Sequence, residues 1–188
     1  MNDNSERDSQ EGSYTIRYVT ASDVASYRGI LLNTTSRDRY YRFFRQLKYV
    51  KYLKCFDDAQ LRRHVEPSTD VVSVIAKDGG DPLGIAHAFV QPNGSAEFAV
   101  IVAGHARRRG VAASLFGTII TALQARGITR LVAFSLADNE PFARFATACG
   151  MESEPEDEDG VVAWALDVTT DRSVVTRSRP VNARPIAA

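Results

Sequence analysis

AEFAVIVAGHARRRGVA, residues 96–112, decides the fold. Its first eight residues are apolar except for Glu97 and predict a strand over Ala96–Ala103. A loop carrying Arg107, Arg108 and Arg109 follows, and a helix opens at Gly110. A strand that runs into a helix N-terminus makes an anion site, because the first helical amides have no backbone partner and carry a partial positive charge. The arginines add full charges to that partial one. The spacing Arg107-x-x-Gly110-x-Ala112 sharpens the reading. Gly110 permits a positive φ or a close backbone approach, and Ala112 keeps the first turn clear. A pyrophosphate then has room on the amides of Arg108, Arg109, Gly110, Val111 and Ala112. An arginine-rich surface turn ahead of an ordinary helix is the competing reading. The sequence contains no G-x-x-x-x-G-K-[ST] and no G-x-G-x-x-G after a strand, so it points to neither a nucleoside triphosphatase nor a dinucleotide-binding fold.

Working outward, the helix Gly110–Ala125 places Val111, Leu115, Ile119 and Leu123 on one stripe, widened by Phe116 and Ile120, and Arg126-Gly127 ends it. A strand over Arg130–Leu136 follows. Asp138-Asn139-Glu140-Pro141 then opens a helix over Phe142–Cys149, with Asn139 as its cap, and Gly150-Met151 stops it. Upstream, Val71–Ala76 and Leu83–Val90 join Ala96–Ala103 through DGGD and PNG turns, the pattern of an antiparallel meander. Tyr14–Val19 predicts a first strand and Asp23–Leu32 a helix capped by Thr20 or Ser22. Residues 35–66, aromatic and basic, predict further helix, with Asp57 or Asp58 capping the piece that carries Leu61 and Val65. A last strand spans Val161–Val168 and contains Trp164.

The loop and its flanks resemble the GNAT superfamily of acyl-CoA-dependent N-acetyltransferases. The pyrophosphate loop of that superfamily reads Arg or Gln, two variable residues, Gly, one variable residue, then Gly or Ala. Asn139-x-Pro141 followed by Gly150-Met151 resembles its second acetyl-CoA motif. Arg39-Tyr40-Tyr41-Arg42-Phe43-Phe44 and the strand start Ala96-Glu97-Phe98-Ala99 are similar to the GNAT domain of bacterial Pat-type protein lysine acetyltransferases. The resemblance implies an α/β (α+β) fold, a single GNAT domain over residues 13–168. Its mixed, mostly antiparallel central sheet would have about six to seven strands flanked by helices. Acetyl-CoA is the implied co-substrate. Arg107, Arg108, Arg109, Gly110, Val111, Ala112 and Asn139 would hold it by its phosphates and pantetheine, and the backbone of Val100 and Val102 would bond the pantetheine arm. Arg39 and Arg42 would face the acceptor. The acceptor itself is expected to be a protein lysine, with an acyl-CoA synthetase as target, or else a small amine. A module that binds acetyl-CoA without catalysis is the reading of another class.

Glu97 is the candidate general base. A carboxylate inside an apolar strand is costly unless paired, hydrated or needed. In a partly apolar cleft its pKa is expected to rise, and a base so tuned commonly supplies a factor of about 10² to 10⁴ in rate. The similar lysine acetyltransferases use a glutamate at the matching position. An ion pair with Arg39, Arg42 or another cleft arginine would account for the same residue without chemistry. Many superfamily members place a tyrosine four residues before the glycine that ends the second motif, as acid for the leaving thiolate. Here that position is Ala146. The Pat-type proteins lack it too.

Composition is consistent with one globular domain: 188 residues, 44% apolar, 24% charged, formal net charge zero. Neutrality argues against a general affinity for nucleic acid or anionic membrane, although interleaved aromatics and arginines in 35–66 leave base stacking as an alternative. Cys55 and Cys149 have no metal-type spacing and are expected to be reduced thiols in the cytoplasm. His64, His87 and His105 form no ligand pattern, so no metal is expected. Residues 1–12 and 169–188 are expected to be disordered tails, and the acidic stretch Glu152–Asp159 a solvated hairpin connection. Exposed edge strands leave monomer and homodimer both open.

Overall fold

Near-continuous apolar runs in the meander, over residues 71–78 and 81–90 above all, bury both faces of the sheet, and the helices divide between them. The computed structural model describes residues 14–43, 58–66, 68–154 and 160–169. The expected helix across 44–57, with Phe44, Cys55 and Asp57, lies outside the described residues, as do residues 155–159 of the acidic stretch, the N-terminal tail and residues 170–188.

The chain runs β1 (Thr15–Tyr18), α1 (Val24–Leu32), α2 (Ser36–Phe43), α3 (Asp58–Val65), β2 (Val71–Asp78), β3 (Asp81–Val90) and β4 (Ser95–Val102). It continues through α4 (Val111–Ala125), β5 (Arg130–Leu136), α5 (Glu140–Ala148), β6 (Glu152–Ser153) and β7 (Val161–Asp167). The strands form one seven-stranded sheet in the order β1-β2-β3-β4-β5-β7-β6. Every neighbouring pair is antiparallel except β4–β5, which is parallel. This matches the expected sheet. One addition is β6, a short strand at the start of the acidic stretch, paired with Ala165 and Trp164 of β7.

On one face, α4 lays Val111, Leu115, Phe116, Ile119 and Leu123 on Ala96 and Phe98 of β4 and on β2 and β3. Phe142, Phe145 and Ala146 of α5 join the same core beside Trp164, whose indole N–H donates to Ser135 Oγ at 2.9 Å. On the other face, Tyr27, Ile30 and Leu31 of α1 and Leu61 and Val65 of α3 cover Ile75, Ile85 and Ile101. Each of these large side chains contributes roughly 1.5–3 kcal/mol by leaving water. In β4, even-numbered residues therefore face α4 and odd-numbered residues, Glu97 included, face α1 and α3.

Candidate active site

The parallel pairing of β4 with β5 is brief. Its register runs Ser95↔Arg130, Ala96↔Leu131, Glu97↔Val132 and stops there, although both strands continue. On the other side of β4, the Ala103 amide donates to Leu83 O and the Gln91 amide donates to Ser95 O, both at 2.8 Å. Antiparallel pairing alternates, so odd-numbered β4 residues turn their backbone groups to β3 and even-numbered ones turn theirs to β5. Val100 and Val102 thus present N–H and C=O into the opening beyond the last β4–β5 register pair. An extended chain bonds there as an added strand would.

The same strand delivers the loop at its end. Gly110 caps α4 with φ 75°, and Arg108 has φ 61°, unusual for a residue with a Cβ. Left-handed residues at both positions turn successive amides toward the helix mouth, the geometry of an anion-binding concavity. The left-handed Arg108 costs about 1–3 kcal/mol. Two of the three arginines already have carboxylate partners: Arg107 pairs with Asp38 of α2, and Arg109 with Asp78 at 3.1 Å. Arg108 has no ion pair among the described residues. His105 pairs with Asp81 at 2.8 Å. The positive field of the loop is accordingly smaller than its three arginines suggest.

Asn139 sits beside the opening at the head of α5, buried, accepting from the Phe142 amide at 3.2 Å. Its neighbour Asp138 is tied to α2: the Tyr41 hydroxyl lies 3.1 Å from Asp138 O, and Arg37 lies 3.5 Å from the carboxylate. Ala146, in the tyrosine position of many superfamily members, is fully buried in the α5 core and brings no proton donor.

Glu97 lies part-buried on the α1 side of β4, opposite Phe89 of β3, and makes no ion pair or hydrogen bond with another described residue. The expected alternative, a salt bridge to Arg39 or Arg42, is not formed. Arg39 requires a correction. Only 3% exposed, it donates from Nη1 to Leu31 O at 3.1 Å and to Thr34 O. Its guanidinium closes the open carbonyls at the end of α1 and does not face an acceptor, because helix ends leave acceptors that a buried cation satisfies well.

Arg39 Nε is left buried without a partner, and in Arg42 both Nε and Nη2 are, with Cζ 5.0 Å from the Phe43 ring centroid. Arg42 stands near a buried aromatic cluster that sequence reasoning did not assemble. The rings of Tyr27, His64 and His87 pack with centroids 5.4–6.1 Å apart, and Phe89 stacks on His87 at 5.8 Å. Ser73 Oγ donates its one proton to His64 O at 2.9 Å, so His87 Nδ1, 2.8 Å away, is the donor to Ser73. His87 is then a neutral imidazole with a bare Nε2. Burial, and after it the nearby Arg42 charge, holds the His87 pKa well below the usual histidine value. The same two causes, in the same order, lower His64. Tyr27 Oη, His87 Nε2 and His64 Nδ1 are all buried without a hydrogen-bond partner. His87 lies opposite Ala99, one step along the same face from Glu97. His64 and His87 are 23 positions apart in the sequence, and tertiary packing around Ser73 and Tyr27 brings them together. The signal available was a single polar residue inside the apolar run Gly84–Val90. Among the described residues no group of three or more His, Cys, Asp or Glu is arranged to hold a metal.

Three solved structures share this architecture. The GNAT domain of S. lividans PAT is 24% identical, with a TM-score of 0.72 over 81% of this chain and 89% of that one. PaiA N-acetyltransferase from Thermoplasma acidophilum, solved with coenzyme A, is 12% identical, with a TM-score of 0.67 over 82% and 99%. Spermidine N-acetyltransferase from Vibrio cholerae, solved with CoA and spermine, is 15% identical, with a TM-score of 0.64 over 84% and 96%. The model of the acetyltransferase (GNAT) family matches residues 36–151. With the interrupted β4–β5 pairing and the arginine loop at the head of α4, this match makes the chain a member of that family.

Proposed function

We propose that the protein transfers an acetyl group from acetyl-CoA directly to an amine, with Glu97 as general base. The observation that carries the reading is the juxtaposition on β4. One strand presents free backbone groups at Val100 and Val102, an anion-binding loop at its end, and an unpaired carboxylate on its other face.

Acetyl-CoA supplies the activated thioester. The chain's residues supply its placement. The amides around Arg108–Ala112 and the side chain of Arg108 hold the pyrophosphate, with Arg107 and Arg109 as further cations. Val100 and Val102 hold the pantetheine arm, and Asn139 borders it. A backbone N–H of β4 aimed at the thioester carbonyl stabilises the oxyanion that forms on attack. Glu97 receives the proton that the amine must lose, and the lone pair so released attacks the carbonyl carbon. Coenzyme A thiolate then leaves. Ala146 has no proton to give, so the thiolate leaves unassisted or takes its proton from water. Cys149 is buried and its thiol is pushed by burial up to about 11, which argues against a cysteine-bound acyl intermediate.

For the acceptor we propose a protein lysine, with an acyl-CoA synthetase as target, on the strength of the Arg39–Phe44 and Ala96–Ala99 segments. The test is CoA release by wild type and Glu97→Gln, with an acyl-CoA synthetase and a panel of small amines as acceptors. Turnover is expected with the synthetase, falling at least tenfold in the variant while acetyl-CoA affinity holds, a bound set below the roughly 10² to 10⁴ that a general base supplies. Undiminished turnover removes Glu97 from the mechanism. Binding without transfer to any acceptor favours a sensor.

A further inference from the structure

We infer that the acceptor carries a carboxylate close to its reactive amine, and that Arg42 receives it beside the unpartnered polar atoms of Tyr27, His64 and His87. The inference rests on the acetyltransferase reading only for the words acceptor and amine. The unpartnered buried atoms of Arg42, Tyr27, His64 and His87 are features of the fold in either case.

Arg42 Nε and Nη2 are the two nitrogens whose N–H groups lie parallel on one edge of the guanidinium, the edge that grips both oxygens of a carboxylate. Both are buried and unpartnered. No described carboxylate pairs with Arg42, although eight ion pairs on the described residues join other cations to carboxylates. A buried cationic edge without an anion is costly to keep, and an arriving carboxylate relieves that cost. The remaining orphans complete the match. Tyr27, fully buried, offers a hydroxyl proton with no acceptor. His87, also fully buried, offers a lone pair at Nε2 with no donor, its tautomer fixed by Ser73 and His64 O. Glu97 lies one step along the sheet from His87 and is also unpaired. Donors at Arg42 and Tyr27 and acceptors at His87 and Glu97 suit a ligand with an anion at one end and an amine at the other. A polyamine leaves Arg42 facing a second cation. The carboxylate has two sources of the same chemistry: an acidic side chain beside a lysine in a peptide, or the α-carboxylate of a free amino acid.

The experiment uses the full chain bound to CoA and compares acceptors in pairs: a lysine peptide with a neighbouring glutamate against the same peptide with glutamine, and free lysine against lysine amide. Equilibrium binding and KM are both read. At least one acidic member should bind tenfold or more tightly than its neutral partner, and the pair that does so names the source. Arg42→Gln should abolish the preference with CoA affinity intact. Arg42→Lys, which keeps the charge but lacks the parallel edge, should not restore it. Tyr27→Phe, which removes one oxygen, should weaken it and guards against misfolding of the arginine variants. Equal binding within both pairs overturns the inference, and so does a preference that survives Arg42→Gln. Selective binding without acyl transfer overturns the enzyme reading and leaves the carboxylate contact standing.

Discussion

Asp23→Asn tests whether the acceptor side of the sheet depends on one buried carboxylate. Asp23 is 1% exposed and receives Arg17 Nη1 and Nη2 at 2.7 Å each, the Thr20 amide at 2.9 Å and the Thr20 hydroxyl at 3.1 Å. Lys77 Nζ lies 3.1 Å away. These contacts bind β1 and β2 to the start of α1, the helix that carries Tyr27. Asparagine keeps the shape but turns one oxygen into a donor facing a cation. Removing one partner of a buried pair costs about 3–5 kcal/mol. The side chains of Arg17 and Lys77 are 43% and 20% exposed, so the freed cations recover hydration. That brings the expected loss to about 2–3 kcal/mol, or roughly 4–12 °C in Tm for a domain of this size. Burial opposes ionisation of Asp23, but the hydrogen bonds from Arg17, Thr20 and Lys77 outweigh it and hold the carboxyl far below its ordinary value. A depressed native pKa contributes stability that is complete above the unfolded value, about 3.9, and fades as the pH falls toward the native one. The gap between wild type and variant in urea unfolding should therefore be about 1 kcal/mol smaller at pH 3 than at pH 7. A gap under about 1 kcal/mol at pH 7, or one that does not narrow at pH 3, refutes the reasoning.

Three further outcomes are expected. Asp38→Asn removes the partner of Arg107 and weakens the start of α2; stability should fall by about 1 kcal/mol. Because a freed Arg107 can turn to phosphate, CoA affinity measured by calorimetry should rise a few-fold, and a fall would mean that Asp38 holds Arg107 in its binding pose. Asn139→Ala leaves the Phe142 amide without its cap, so Tm should drop by an amount matching about 1 kcal/mol, with weaker CoA binding if the side chain also borders the pantetheine. Cys149, buried and titrating at about 11, should resist a thiol reagent at pH 8 in a Cys55→Ser background until the chain is unfolded.

The elements with strong periodicity were legible from the sequence. Residues 110–125 step every fourth position onto a sheet, and β5 matches its expected bounds because arginine and the turn after Leu136 punctuate it clearly. The anion loop was legible because its requirement is local: a glycine able to take φ 75° at a helix mouth. Arg39 was misread because its partners are carbonyls of α1, which no side-chain pattern announces. The Tyr27–His64–His87 cluster was hidden for a related reason. It joins three elements whose register is set by tertiary packing, and a histidine within an apolar strand looks the same whether its second nitrogen is satisfied or not. The partners of Arg107 and Arg109 were equally silent, since Asp38 and Asp78 come from distant turns of the chain.

The two turns of α2 show how one short segment serves both halves of the site. Thr35 and Asp38 cap its start reciprocally: the Thr35 amide and hydroxyl donate to the carboxylate at 2.7 and 2.6 Å, and the Asp38 amide lies 3.2 Å from Thr35 Oγ1. Helical spacing then sorts its remaining side chains by direction. Arg37 and Tyr41, four apart, reach Asp138 at the end of β5. Asp38 reaches Arg107 at the end of β4. Arg39 points back to α1, and Arg42 turns two buried, unpartnered nitrogens inward beside Phe43. The helix is thereby fastened to the loops that follow both of the parting strands, across the opening where the cofactor arm is placed. A phosphate that drew Arg107 away from Asp38 would release one of these ties and leave the other. Because Arg42 lies one turn beyond Asp38 on the same helix, a shift of α2 on that release would carry Arg42 with it. Cofactor and acceptor binding are therefore expected to be coupled through α2, by at most the modest energy of a part-exposed ion pair, about 1 kcal/mol.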